Sequence, residues 1–473
     1  MARAKRVPML GSGVRATAIA LVALLAVGCK KKEKEAPIHV PPPQGAASAD
    51  ELTTAIGQAR GLNSALAPTS TRWRRVFVLD DKHAVVAGEI ETEAIALVTE
   101  NAGRTWRALR RPREGWSTWS VGQDGTTVLA VGPRVPAVSG ARGAAGAQPA
   151  IEPPSLLFAP LEATDLLAPS PVVLPAPSRG ARPPVDSVPA VLSAESAALI
   201  VEAKPRQAIL VYAGPPGAAP APVVTLPPQE QALPIPYGRP PALLSVRGRN
   251  LLARAVPAPG KPLEAPRNVA GLVMSPAATA ALSATPACDV AGWSIQIVPQ
   301  PPDRNVLVAV SAAQTAVIKL PAKLAPRAMV GCGADRITVE VISPTHGETT
   351  LSTCGLDGAC LLAEKPPFRP WLEPHERSIA SAPTRAGVAA VMTARTATRW
   401  GLYLTHSTDG GKMYEFPRTI GEGQSERGRI ELGALLSFGN RLLMLLQADV
   451  TGTSRRGWYV TVSEDSGLTW SPP

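Results

Sequence analysis

Aromatic residues make up only 4% of this 473-residue chain, and its five histidines (His39, His83, His346, His375 and His406) are scattered. The net charge is +11, but no aromatics interleave with the lysines and arginines, so a nucleic-acid-binding surface is not expected. Only His346 stands near a cysteine, so no zinc cluster is assembled, and neither a metal nor a cofactor is expected. The N-terminal apolar stretch, Ala16 to Val27, falls short of the ~20 residues that a membrane-spanning helix needs.

What is present begins with an address. Arg3, Lys5, Arg6 and Arg15 have no acidic companion before Cys29, and the apolar stretch ends in Leu25-Ala26-Val27-Gly28-Cys29. This pattern resembles a bacterial lipobox, with Ala26 where leucine is usual. The resemblance implies a signal peptide over 1–28 and lipid attachment at Cys29. The alternatives are a secretory signal cut elsewhere or an uncleaved anchor. Two or more acyl chains on one cysteine give stable membrane attachment. Lys30, not Asp, follows the cysteine, which by resemblance to enteric sorting favours the outer membrane over the inner. Four of the positive charges precede Cys29, leaving +7 after cleavage. Residues 29–47 read as a lipidated flexible tether, charged over Lys30 to Glu35 and then rich in proline and alanine. Residues 48–66 read as a short helix or more linker.

Beyond Cys29 four cysteines remain, an even number that suits two disulfides in an exported chain, with three pairings open. Cys354 and Cys360 flank Gly355 to Ala359 between strand-like runs, so a bond there would staple a hairpin. That leaves Cys288 with Cys332. Each of these precedes an alternating strand, Ser294 to Ile297 and Arg336 to Val341, at equivalent places one repeat apart.

Three stretches share a spacing. Ser463-Glu464-Asp465-Ser466-Gly467-Leu468-Thr469-Trp470 follows the strand-like run Trp458 to Val462. Thr99, Asn101, Gly103 and Trp106 follow Ala94 to Val98, and Ser407, Asp409, Gly411 and Tyr414 follow Trp400 to Leu404. In each, a short oxygen-bearing side chain can accept from turn amides, a glycine permits positive φ, and an aromatic opens the next strand. The pattern resembles the Asp-box, or bacterial neuraminidase repeat, of sialidase-like β-propellers. The resemblance implies an all-β fold of about seven four-stranded blades, six or eight being the alternatives, with the boxes as structural corners on the blade periphery.

The propeller is expected over 67–473. Residues ~73–110 form one repeat, and a second opens at Trp116. Proline- and alanine-rich loops around 133–270 are expected to be mobile, with partial disorder as the alternative reading. Because the chain ends just after the third box, the last blade lacks its outer strand. A segment within Ala67 to Val78 is expected to supply it and close the ring.

For function, the favoured reading is a membrane-anchored, non-catalytic binding or assembly scaffold of the cell envelope with a protein or glycan ligand. The alternative is a sialidase-type glycoside hydrolase, which needs three arginines, a glutamate-activated tyrosine and an acidic proton donor. The family's Phe-Arg-Ile-Pro string is missing; Phe368-Arg369-Pro370 is the nearest match. Tyr212, Tyr237, Tyr403, Tyr414 and Tyr459 occupy strand or box positions, and no residue warrants a catalytic assignment. A purely structural lipoprotein is the third reading.

Overall fold

In the computed structural model the described residues lie between Ala67 and Trp470. Residues 1–66, 113–116, 133–153, 173–186, 215–220, 369–375, 425–427, 451–455, 471–473 and several shorter positions fall outside them. The signal peptide, Cys29, the tether and the 48–66 segment therefore lie outside the described residues.

The described chain is almost entirely β, as its alternating apolar runs dictate. Its strands fall into eight consecutive antiparallel meanders. Unit 1 comprises Arg72–Val78, Ala84–Ile90, Glu93–Thr99 and Arg107–Pro112. Units 2, 3 and 4 run from Ser117–Val121 to Ser170–Pro171, from Ala190–Ser193 to Val224–Thr225, and from Gln231–Ala232 to Arg267–Asn268. Unit 5 runs from Cys288–Val290 to Thr315–Lys319. Unit 6 runs from Val330–Cys332 to Cys360–Leu362, with Lys323–Leu324 added beside Arg336–Ile342. Unit 7 runs from Glu376–Thr384 to Arg418–Gln424. Unit 8 has three strands, Gly428–Phe438, Arg441–Val450 and Arg456–Ser463. Among the described residues of 133–270, ten strands belong to units 2 to 4; 133–153, 173–186 and 215–220 lie outside the described residues.

Each unit buries both faces, and the apolar clusters join successive units. Leu129 and Leu157 pack with Val85 and Leu109 between units 1 and 2. Leu199 packs with Phe158 between units 2 and 3, and Leu243 with Leu210 between units 3 and 4. Leu244 and Val308 join units 4 and 5, Leu351 and Ile379 units 6 and 7, and Leu402 and Leu442 units 7 and 8. One large cluster gathers Leu97 of unit 1, Ile295 of unit 5, Val339 of unit 6 and Leu443 of unit 8. The succession of packed faces therefore passes from unit 1 to unit 8 and returns to unit 1.

Two features tie this succession together. The first strands of units 1 and 5 pair in parallel, Phe77 with Asp289 and Val78 with Val290, and so join two meanders into one eight-stranded sheet. Both strands thereby cover an edge that would otherwise be open. Unit 8 has no described fourth strand of its own. Ala67 bridges antiparallel to Trp458 on its third strand, and the Trp458 and Trp73 rings meet edge to face at 6.0 Å between centroids. The partner from Ala67 to Val78 expected from the sequence is thus a single bridge at Ala67. The strand Arg72–Val78 belongs to unit 1.

Both disulfides are present, Cys288 to Cys332 and Cys354 to Cys360. The first links the opening strands of units 5 and 6, and the second staples the last hairpin of unit 6. One helix, α1 (Pro276–Ser283), precedes unit 5 and was not expected. Ser275 caps it, accepting from the Ala278 amide at 3.1 Å, and Pro276 opens it. Ala278 and Leu282 are buried on its inner side.

Candidate functional site

The three corner sequences occupy one structural position, just after the third strand of units 1, 7 and 8. Their hydrogen-bond circuits match. The hydroxyls of Thr99, Ser407 and Ser463 accept from the amides of Gly103, Gly411 and Gly467 at 2.8, 2.8 and 2.6 Å. They donate to the oxygens of Asn101, Asp409 and Asp465 at 3.3, 2.7 and 2.8 Å. Those oxygens in turn accept from the amides of Thr105, Met413 and Thr469 at 2.8, 3.0 and 2.7 Å. Asn101 substitutes for a carboxylate because one acceptor oxygen serves the circuit, while its amide nitrogen donates to Thr105 Oγ1 at 2.7 Å.

The glycines are needed twice over. Gly103, Gly411 and Gly467 have φ of +82°, +103° and +95°, and a Cβ on each would press on Leu443 of unit 8, Thr353 of unit 6 and His406 of unit 7. Each corner thus seats against the preceding unit of the succession. The closing aromatics do likewise: Trp106 packs into the cluster shared by units 1 and 8, Tyr414 into that of units 6 and 7, and Trp470 into that of units 7 and 8. The Met413 amide donor to Asp409 lowers its carboxyl below the ordinary range, helped by Ser407. For Asp465 burial pushes upward, and the Thr469 and Ser463 donors overcome it, so the net direction is down. These corners join neighbouring units.

A cleft of about 410 Å³ lies where the opening strands of units 1 and 2 meet the C-terminal end of α1. In an unbroken strand Arg74 and Arg75 would point to opposite faces. The pairing with the next strand slips between Trp73 and Arg75, leaving Arg74 as the extra residue, and both arginines line the cleft. Gly88 permits this: a Cβ there would strike the Arg72 carbonyl.

Arg74 is exposed and pairs with Glu89 at the rim, 2.5 Å away. Arg75 is 8% exposed. Its Nη2 donates to Asp289 Oδ2 at 2.9 Å, and its guanidinium carbon lies 4.6 Å from the Phe77 ring centre. Asp289 also accepts from Ser294 Oγ, which accepts from the Gly238 amide at 2.7 Å. Units 1, 4 and 5 are joined by this chain. Among the described residues, Nε and Nη1 of Arg75 have no partner, nor does Nη1 of Arg239, whose Nη2 donates to the Val78 carbonyl at 2.9 Å. Burial pulls the Arg239 guanidinium down, partly opposed by Asp289.

Two further clefts open among the described residues. One of about 710 Å³ is lined by Glu202, Gln207, Gln229 and Gln231 over units 3 and 4, and shares Ser283 with the first. Behind it the buried Glu230 accepts from Ser245 Oγ at 2.9 Å and from Arg247 and Arg254. Burial raises the Glu230 carboxyl, the arginines and serine lower it further, and the net direction is down. The other, about 520 Å³, is lined by first-hairpin turns such as Leu79–Asp81, Asp335 and Gly439.

The five tyrosines lie apart from all three clefts. Tyr212 donates to the Pro257 carbonyl at 3.1 Å and Tyr237 to the Leu282 carbonyl at 2.9 Å. Burial pushes the Tyr212 phenol up to about 12 and raises Tyr237, Tyr403 and Tyr414 as well. Tyr459 is buried between units 7 and 8. Tyr403 has Glu422 as a charged neighbour, but its ring is packed between units 6 and 7. Arg75, Asp289 and Arg239 were not singled out from the sequence. For Arg75 and Asp289 the one signal is charge inside the strand-like runs Trp73 to Leu79 and Cys288 to Val290, and Arg239 has none.

No family model matches the chain, and no curated protein does. Solved structures overlap it distantly. A polysaccharide lyase, PL25-Ulvanlyase, is 9% identical with a TM-score of 0.36, covering 86% of this chain and 94% of the lyase. The NanB sialidase from Streptococcus pneumoniae is 9% identical with a TM-score of 0.34, covering 85% and 69%. Hsv2 from Kluyvelomyces marxianus is 8% identical with a TM-score of 0.32, covering 72% and 95%. None of these overlaps bears on the activity of this chain.

Proposed function

We propose that this chain is an exported bacterial lipoprotein, anchored at Cys29, whose β-propeller holds a ligand without transforming it. The propeller reading is supported by eight meanders that pack in chain order, return from the last to the first, and carry matching corners in units 1, 7 and 8. The non-catalytic reading is carried by one observation. All five tyrosines are spent inside strand packing, and the shifts that burial causes run upward, whereas a tyrosine nucleophile has to be reachable and readily deprotonated. The corners supply rigidity, and the clefts over units 1 to 4 supply the binding surface.

A fluorogenic sialoside assay beside a glycan array, both on the full-length protein, tests this. Ligand retention without turnover is the expected result; sialoside hydrolysis would instead establish the glycosidase reading. Anchoring is checked by palmitate labelling in a bacterial host, which Cys29→Ser is expected to abolish.

A further inference from the structure

We propose that the 410 Å³ cleft receives a carboxylate-bearing ligand, seated on the Arg75 guanidinium; this rests on the binding-scaffold reading above. The argument is one of charge and unspent donors. Two guanidiniums, Arg75 and Arg239, are drawn toward a single buried carboxylate, Asp289, which is itself shared with Ser294. Asp80, the other acid that acts on Arg239, is exposed and engaged by His83 and the amides of its own turn. Around Asp289, among the described residues, two guanidiniums thus share one buried carboxylate, and a buried charge without a partner is costly.

The unspent hydrogen-bonding capacity has the same sign. Among the described residues, Arg75 Nε and Nη1, Arg239 Nη1 and Trp119 Nε1 are all donors without acceptors, and Arg75 and Trp119 both line the cleft. A group that accepts from N–H donors and brings negative charge answers both deficits, and a planar carboxylate matches the edge of a guanidinium. Neutral or donor groups on the same ligand find partners at Ser117, Thr118 and Thr285 along the wall. The Arg74–Glu89 pair at the rim is charge-neutral and leaves the attraction to Arg75. The larger neighbouring cleft differs: its buried Glu230 is already matched by two arginines.

The test is titration calorimetry on the full-length protein with galacturonate, and with galactose as its neutral counterpart. Galacturonate is expected to bind about tenfold or more tightly, the ratio one charge-assisted hydrogen bond supplies. Ser117→Asp places a competing carboxylate in the wall and is expected to remove this preference, whereas Ser117→Ala keeps it. Arg75→Gln is expected to remove it too; should that variant fail to fold because Asp289 is orphaned, Ser117→Asp decides. Acetate is expected to compete with galacturonate. Competition by sulfate but not acetate would overturn the carboxylate assignment. Equal affinity for the two sugars, no binding of galacturonate, or a preference untouched by Ser117→Asp would overturn the site. Sialoside turnover would overturn the scaffold reading, so the two failures are distinguishable.

Discussion

The carbonyl of Ala67 accepts the Trp458 amide hydrogen at 2.9 Å, joining the first described residue to the third strand of the last unit. Toward the other end of that strand, Arg441 of unit 8 donates to the Asn101 carbonyl of the first corner at 3.2 Å, and Glu464 of the third corner meets both Arg441 and Arg104. Arg441 is foremost in holding the Glu464 carboxyl below its ordinary range. The first and last units are therefore fastened by a backbone bridge, an aromatic contact and a small ionic network.

The aromatic contact is expected to carry most of that fastening. Trp73→Ala removes the ring that meets Trp458 and is predicted to cost about 3 kcal/mol, the low end for losing a large core ring, since Trp73 is half-buried. Arg104→Ala, which breaks only an exposed pair, is predicted to cost less than about 1 kcal/mol. Denaturant unfolding of the two variants checks the ranking.

The corner glycines should be more sensitive than glycines elsewhere with similar φ. Gly439 has φ of +67° and nothing within reach of an added Cβ, so Gly439→Ala carries only the backbone cost of about 1–2 kcal/mol. Gly103→Ala adds a collision with Leu443 and is predicted to exceed it by about 1 kcal/mol or more. Melting curves of the two alanine variants decide the point.

Acid should loosen the corners. Asp409 and Asp465 have folded-state values below their unfolded ones, so the unfolded chain binds more protons. Their contribution is complete above the unfolded value near pH ~4 and is lost as pH falls through the lowered folded value. Asp409→Asn and Asp465→Asn, which copy Asn101, are predicted to flatten the decline in melting temperature below about pH 4. An unchanged slope would contradict this.

The disulfides should rank by the loop each closes. Cys288 and Cys332 are 44 residues apart and Cys354 and Cys360 only 6. By loop-closure entropy, removing the first as a Ser pair is predicted to cost about 4 kcal/mol and the second about 2 kcal/mol. Urea unfolding of the two double-serine variants measures both values.

The corners were legible in the sequence because the hydrogen-bond circuit through Ser463, Asp465, Gly467 and Thr469 closes within a few residues, so spacing alone reports its geometry. The cysteine pairs were legible for related reasons, one closing a hairpin and the other sitting at repeated positions. Arg75 was not legible. Its place depends on a slip in pairing against Gly88 and on Asp289, which comes 214 residues later in the chain. The parallel pairing of units 1 and 5 escaped notice likewise, since no periodicity marks which edges meet. Helix α1 did carry a local signal in Ser275-Pro276, which the surrounding strand pattern masked.

Amide hydrogen exchange at Trp458 in the intact protein tests the account most directly. With Ala67 seated on that strand, the Trp458 amide is predicted to exchange as slowly as amides in the interior of unit 8, such as Met444. Exchange at the rate of an open sheet edge would mean that the first and last units are not fastened, and would contradict the closed succession on which the binding scaffold rests.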